Sequence, residues 1–284
     1  MLARRRGGRS GVRRRGAFAA GRVDRHRLYE QAVQQVDFEV DQVDALFRRL
    51  RGRTPATLRE DFCGTAAMAC EWVRRGPERR AVGVDLDARV LDWARRHNVA
   101  SLGEAARRVR LIRGDVRGVR AGRFDVIVAY NFSYWVFRTR EVMRDYFRRV
   151  RRALKPDGLF LLDAYGGYEA YEERVERRRE RGFVFEWEQA RYNPVDGSMR
   201  TYIHFELPGG RRMERAFRYD WRLWSLPELR ELLGEAGFAR TRVWTDPDDD
   251  GRHRFVERLD ADACWIAYLV AEPRATSTVA QRPC

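Results

Sequence analysis

Lysine is almost missing from this chain: Lys155 is the single one, and every other member of its 57 basic residues is arginine. A surface selected for phosphate contact has no reason to avoid lysine, so the formal charge of +15 reads first as compositional bias and second as a nucleic-acid footprint. The distribution of the charge agrees, because residues 1–22 carry eight arginines and no acid. That leader has too few apolar residues to offset the cost of ordering and is expected to be disordered. It lacks the apolar stretch of a secretory signal, although an arginine-rich, acid-free composition is also that of a transit peptide. No apolar run reaches the roughly 18 residues of a membrane span. Cys63, Cys70, Cys264 and Cys284 form no C-x-x-C pair and no cluster with histidine, which argues against a zinc site and a disulfide framework and favours a reducing cytoplasm. The acids at 246–250 have no ordered ligand spacing, and no metal is expected there.

What is present is a chain of 284 residues, 44% of them hydrophobic, enough for one sizeable α/β core. Residues 56–87 read as strand, tight turn, helix and second strand. Leu58 anchors the first strand, and the small residues that follow Glu60 and Asp61 let the backbone approach a ligand at the start of a helix. The second strand is a continuous apolar run, as in a parallel strand buried on both faces, and it ends in acid at Asp85 and Asp87. Asp85 follows Gly64 at the spacing with which a doubly wound fold grips a ribose diol. A nicotinamide dinucleotide enzyme would share that acid, but G-x-G-x-x-G is absent after the first strand.

From Glu60 to Ala66 and onward, the chain resembles the class I S-adenosylmethionine-dependent methyltransferases, over roughly residues 24–272. The family opens with an acid followed by Gly-x-Gly-x-Gly. Here Glu60 takes the acid position, Phe62 and Ala66 replace the outer glycines, and Gly64 keeps the middle one. The resemblance implies S-adenosylmethionine as cofactor, held by Glu60, Phe62, Gly64, Asp85, Leu86, Asp115, Val116 and Asn131. Asp115 would accept the adenine amino group and Val116 would supply an apolar edge to the ring. Residues 131–134, Asn-Phe-Ser-Tyr, keep the first and last members of the Asn-Pro-Pro-Tyr of amino-directed relatives, so Asn131 and Tyr134 would position the acceptor and nitrogen is slightly favoured over oxygen.

Helical spacing runs over residues 23–51. The resemblance implies that such a helix closes over the cofactor, which would turn Tyr29 and Gln34 to the site, with half-buried packing as the alternative for Tyr29. Lys155 to Gly158 form a turn in which glycine supplies a positive φ before the fifth strand. Residues 168–181 read as a solvated helix, with Glu173 and Arg177 at i,i+4. From 183 to 224 the period changes to two and predicts a three-stranded antiparallel insertion after the fifth strand. Ser225 and Glu228 form a capping box, and an antiparallel hairpin closes the fold. The expected architecture is thus a Rossmann-like class I methyltransferase sheet over residues 23–272 with that insertion, followed by a flexible tail at 273–284.

The insertion is expected to wall the acceptor side, with Trp187, Tyr192, Tyr202, Trp221 and Trp224 either lining a pocket or forming the insertion's own core, and with Tyr134, Tyr165 and His204 as candidate bases, a cross-strand structural role being favoured for His204. The expected activity is methyl transfer to a small-molecule acceptor. An RNA or protein methyltransferase using the basic leader, and a noncatalytic cofactor-binding protein, are the alternatives. No membrane partner is expected, nucleic acid is disfavoured, and self-association into a homodimer is left open.

Overall fold

The structure, a computed structural model, describes residues 23–245 and 254–273. The arginine-rich leader, the acidic stretch at 246–250 and the tail from 274 onward lie outside the described residues.

Two helices precede the sheet, α1 (Arg25–Ala32) and α2 (Val36–Arg51). One continuous helix over 23–51 was the expectation, and the break has a packing cause. Leu28 of α1 belongs to the core on one side of the sheet, whereas Val40, Val43, Leu46 and Phe47 of α2 belong to the core on the other. No straight helix serves both, and the chain leaves helical geometry at Gln35 (φ −119°, ψ 58°). Gly52, in left-handed geometry, closes α2 with its N–H on the Arg48 carbonyl.

Five parallel strands follow: β1 (Thr57–Asp61), β2 (Arg80–Asp85), β3 (Val109–Arg113), β4 (Phe124–Ala129) and β5 (Leu154–Gly166). They lie in the order β3-β2-β1-β4-β5, linked through α3 (Ala67–Arg74), α4 (Ala88–Ala94) and α5 (Arg140–Ala153). All six residues of β4 are buried, with Val126 and Val128 turned to the layer of α2 and α3 and Ile127 and Ala129 to the opposite side. A strand covered on both faces has no polar side, hence the unbroken apolar run over residues 126–129 after Asp125.

Entry into β5 differs from expectation. Gly158 does not have a positive φ. It is required because a Cβ there would stand 2.9 Å from the Phe124 carbonyl oxygen, where β4 and β5 run side by side across a bulge. Beside it the Lys155 ammonium lies 2.9 Å from Asp125 Oδ2, and that buried carboxylate also takes Arg53 and the Thr57 hydroxyl.

The insertion is a separate antiparallel sheet of four strands, not three: β6 (Arg174–Glu180), β7 (Phe183–Tyr192), β8 (Ser198–Glu206) and β9 (Arg212–Arg222), in that order. β6 occupies the segment whose charges suggested a helix. It alternates between half-buried and exposed positions, all but one of them charged, so hydropathy shows no period of two. Arg177 pairs with Glu186 of β7, and such charges suit an edge strand that must not recruit another chain.

The capping box forms as expected at the head of α6 (Leu226–Glu235), where the Ser225 hydroxyl accepts from Glu228 N and the Glu228 carboxylate accepts from Ser225 N. Then β10 (Arg240–Thr245), β11 (Phe255–Val256) and β12 (Trp265–Glu272) complete the main sheet. β12 runs antiparallel between β5 and β10, giving eight strands in the order β11-β10-β12-β5-β4-β1-β2-β3. No helix among the described residues is long and apolar enough to cross a membrane.

Candidate functional site

At the carboxyl end of β1 the chain turns through three left-handed residues, Phe62 (φ 58°), Gly64 (φ 50°) and Ala66 (φ 54°). Only Gly64 adopts this geometry without steric cost. Phe62 is held in it by ring contacts to Phe137 and Tyr146, at 5.7 and 5.9 Å between centroids. Nothing lies within 4 Å of where a Cβ on Gly64 would stand, and its N–H donates to Asp85 Oδ2 at 2.8 Å. The other Asp85 oxygen accepts from Asp87 N at 2.9 Å. Backbone open to a ligand is therefore fixed directly against the carboxylate at the end of β2.

The acids around this turn titrate differently because their surroundings differ. Glu60 is buried, its carboxylate accepts from Ala69 N at 2.9 Å in the first turn of α3, and burial, with Glu39, Asp85 and Asp61 nearby, pushes its pKa up to about 8. Burial also raises Asp85. Asp115, at the end of β3, is held down by the Arg117 guanidinium, which it meets at 2.6 Å. Its carboxylate is engaged by Arg117 and retains only spare lone pairs for a ligand. Val116 is buried, whereas Leu86 is 66% exposed at the tip of β2, an apolar surface beside the Asp85 carboxylate.

Helix α1 closes over the turn. The Thr65 hydroxyl donates to Gln34 Oε1 at 3.4 Å, and Asn98 bridges the Glu30 carboxylate and the Thr65 carbonyl at 2.6 and 2.9 Å. Tyr29 is half-buried against Phe217, and its phenol is raised by burial and by neighbouring Tyr219. Asn98 carried no signal in the sequence, since it lies just past α4 with no motif around it.

β4 ends in a second strained turn, Asn131 (φ 58°) and Phe132 (φ 56°), whose N–H groups donate to the two oxygens of Asp163 at 2.9 and 3.0 Å. Asn131 thus stands half-exposed at the strand end, beside the Gly64 turn of neighbouring β1. Tyr134 does not join it. That side chain is fully buried and its hydroxyl donates to the Asp163 backbone carbonyl at 2.8 Å, so a positioning role toward the acceptor is corrected to a structural one.

His204 has the cross-strand partners expected of a structural histidine. It bonds Glu188 through Nε2 and accepts from Arg215 N at Nδ1, on the opposite face of β8 from Ile203 and Phe205. Trp187 and Trp221 do face the main sheet, whereas Tyr202 lies with His204 and Trp224 is fully buried with its indole on the Phe137 carbonyl.

Sequence reading also missed a buried polar group in β1. Arg59 meets Asp61 Oδ1 and the Val116 carbonyl, both at 2.6 Å, while Tyr146 donates to Asp61 Oδ2 at 2.9 Å. Arg59 therefore ties the Asp115–Val116 loop to the strand that carries Glu60. A cavity of about 650 Å³ opens farther along the same sheet edge, lined by Tyr165, Tyr171, Tyr192, Trp224, Arg222 and Trp265 among others. It contains none of the residues of the Gly64 turn.

Residues 62–158 match the family model described as methyltransferase domain. YqeM of Bacillus subtilis (strain 168), whose name places it provisionally among the methyltransferases, is 24% identical over 203 residues, covering 69% of this chain and 79% of that protein. DesVI of Streptomyces venezuelae superposes with a TM-score of 0.66 at 19% identity, covering 89% of this chain and all (100%) of its own. CalS10 of Micromonospora echinaspora, described as an amino pentose methyltransferase with S-adenosylmethionine bound, gives 0.65 at 18% identity over 93% of this chain and 100% of its own. Residues 62–158 thus match a methyltransferase domain, and the chain has the fold of S-adenosylmethionine-dependent methyltransferases of known structure. The open Gly64 backbone, the Asp85 carboxylate and exposed Leu86 fit a ligand with a ribose and an aromatic base, as S-adenosylmethionine, the ligand bound in CalS10, has.

Proposed function

We propose that the protein methylates a small-molecule acceptor, with amine nitrogen favoured over hydroxyl oxygen. The carrying observation is that the inner face of the second sheet rests on the turn after β4: Trp221 lies 6.4 Å from Phe132 and 6.0 Å from Trp135, centroid to centroid. In an open α/β sheet the ligand lies beyond the carboxyl ends of the strands, and this face covers that edge. The described function of CalS10, methylation of an amino pentose, supports an amine on a small molecule.

On this reading Asp85 holds the ribose, Leu86 and Val116 flank the adenine, and Asn131 orients the acceptor. S-adenosylmethionine supplies a methyl group already activated on sulfonium, so the chain's residues orient the two reactants and exclude water. Labelled cofactor offered with pooled small amines, hydroxylated metabolites, peptides and RNA tests the reading. Label is expected in a small amine, and incorporation only into RNA or peptide would overturn it. Asp85→Ala should weaken cofactor binding by about 1.5–3 kcal/mol in calorimetry, the worth of a charged hydrogen bond. Unchanged affinity removes Asp85 from the site.

A further inference from the structure

Four buried polar atoms on or against the inner face of the second sheet have no hydrogen-bond partner among the described residues: Nε1 of Trp135, Trp187 and Trp221, and Oγ1 of Thr201. Their side chains are at most 5% exposed, so bulk solvent does not serve them. A buried donor left unpaired costs on the order of 1–3 kcal/mol, and several at one place need a reason.

They are one cluster. Thr201 on β8 is paired laterally with Gln189 of β7 and Tyr219 of β9, which sets it between Trp187 and Trp221 on the same face. The two indoles approach to 6.0 Å across it, and Trp135, from the turn after β4, is 6.0 Å from Trp221. The Tyr134 hydroxyl beside Trp135 gives its proton to the Asp163 carbonyl and keeps acceptor lone pairs, but the other nearby acceptors are engaged. Asp163 takes the Asn131 and Phe132 amides, and Gln189 gives its amide to backbone carbonyls at 170 and 172 while its oxygen receives the Tyr165 hydroxyl at 3.5 Å. Tyr165, 4.8 Å from both Phe132 and Trp135, also lines the 650 Å³ cavity and so stands between the cluster and solvent.

We propose that these three indoles and the Thr201 hydroxyl form a specificity pocket that reads oxygen atoms on the acceptor, which reaches it past Tyr165. An indole N–H donates and never accepts, so the three indoles favour hydroxyl, ether or carbonyl oxygen, and the Thr201 hydroxyl is the one group of the four that also accepts. The acceptor is then an oxygenated amine, whose oxygens bind here and whose nitrogen faces Asn131. This rests on the small-amine reading above. A site built to bond an oxygen rejects the analogue without it far more strongly than it rejects a change of size.

Two measurements separate the proposals. Methyl transfer is assayed with glucosamine, galactosamine and 3-amino-3-deoxyglucose against cyclohexylamine. At least one amino sugar should exceed cyclohexylamine in kcat/KM by about a hundredfold. Thr201→Val, which keeps the shape and removes the hydroxyl, should raise KM for that amino sugar about tenfold while kcat and Tm hold. Equal use of cyclohexylamine, or an unchanged KM in Thr201→Val, overturns the pocket. In the second measurement, nitrogen-labelled tryptophan spectra are recorded with and without the amino sugars, the peaks being assigned by single Trp→Phe variants. Movement of the Trp135, Trp187 and Trp221 indole signals supports the pocket even if no methyl is transferred, an outcome that removes the activity reading alone. Transfer with all three signals unmoved, as when trapped water fills the cluster, removes the pocket alone.

Discussion

A single residue, Gly64, concentrates what the cofactor turn demands of the chain. Its neighbours Phe62 and Ala66 share its left-handed backbone, but only at Gly64 does the missing side chain leave open space. Gly64→Ala should cost about 1–2 kcal/mol of stability from backbone strain, with a larger loss of cofactor affinity as the new methyl group enters the space a ligand needs. Thermal melts and calorimetry read the two separately, and equal losses would place the effect in folding alone.

Glu60 gives a pH signature. Its carboxyl titrates near 8 in the folded protein, raised by burial from an ordinary 4.5. Between those values the folded state keeps a proton that the unfolded chain releases, so stability falls as pH rises through that window. In Glu60→Gln this contribution disappears, and the Tm of the cofactor-free protein should decline less from pH 5 to 8 than in the parent. Parallel profiles would show that Glu60 titrates normally. Gly64 and Asp85 were legible because glycine and acid at that spacing are a pattern. The commitment of Tyr134 to the Asp163 carbonyl was not, because burial of a tyrosine depends on elements distant in sequence.

Among the elements, β1 is the one whose sequence most conceals its position. Thr-Leu-Arg-Glu-Asp reads as a weak, half-polar strand, yet it is central, and Arg59 and Asp61 are both 1% exposed. They satisfy one another, with Tyr146 and the Val116 carbonyl completing the set, and hydropathy has no means of detecting polar groups that cancel. Arg59→Met should destabilise by about 3–5 kcal/mol because it strands the Asp61 carboxylate, and Arg59→Met with Asp61→Leu should recover much of the loss in denaturant titration. Additive losses would mean the two do not act as a pair. β6 was concealed for a related reason, since charges that suit an exposed edge also fit i,i+4 spacing on a helix. The parallel strands, the capping box and the final hairpin were legible, as their signals are local: continuous apolar runs, Ser225 with Glu228, and alternation ending in turns.

For the molecule as a whole, the order of strand ends was readable while the covering of the acceptor edge was not. Aromatic residues at alternate positions of 183–224 pointed to a sheet, but which face meets Phe132 and Trp135 follows from the way the second sheet folds back onto the first. The rarity of lysine acquires a location in the same frame. Lys155 sits where β4 and β5 begin, its ammonium against Asp125, at the opposite end of the sheet from Gly64, Asp85 and Asn131. Apart from the chain's own amino terminus, an amine-directed reagent has one side chain to find. Mass spectrometry after acylation should show a single adduct on Lys155, formed faster once denaturant frees it from Asp125; an equal rate would mean the ion pair gives no protection. Coupled through that residue to a sensor surface, every molecule would present its cofactor edge outward, a uniform orientation that a lysine-rich relative would not give.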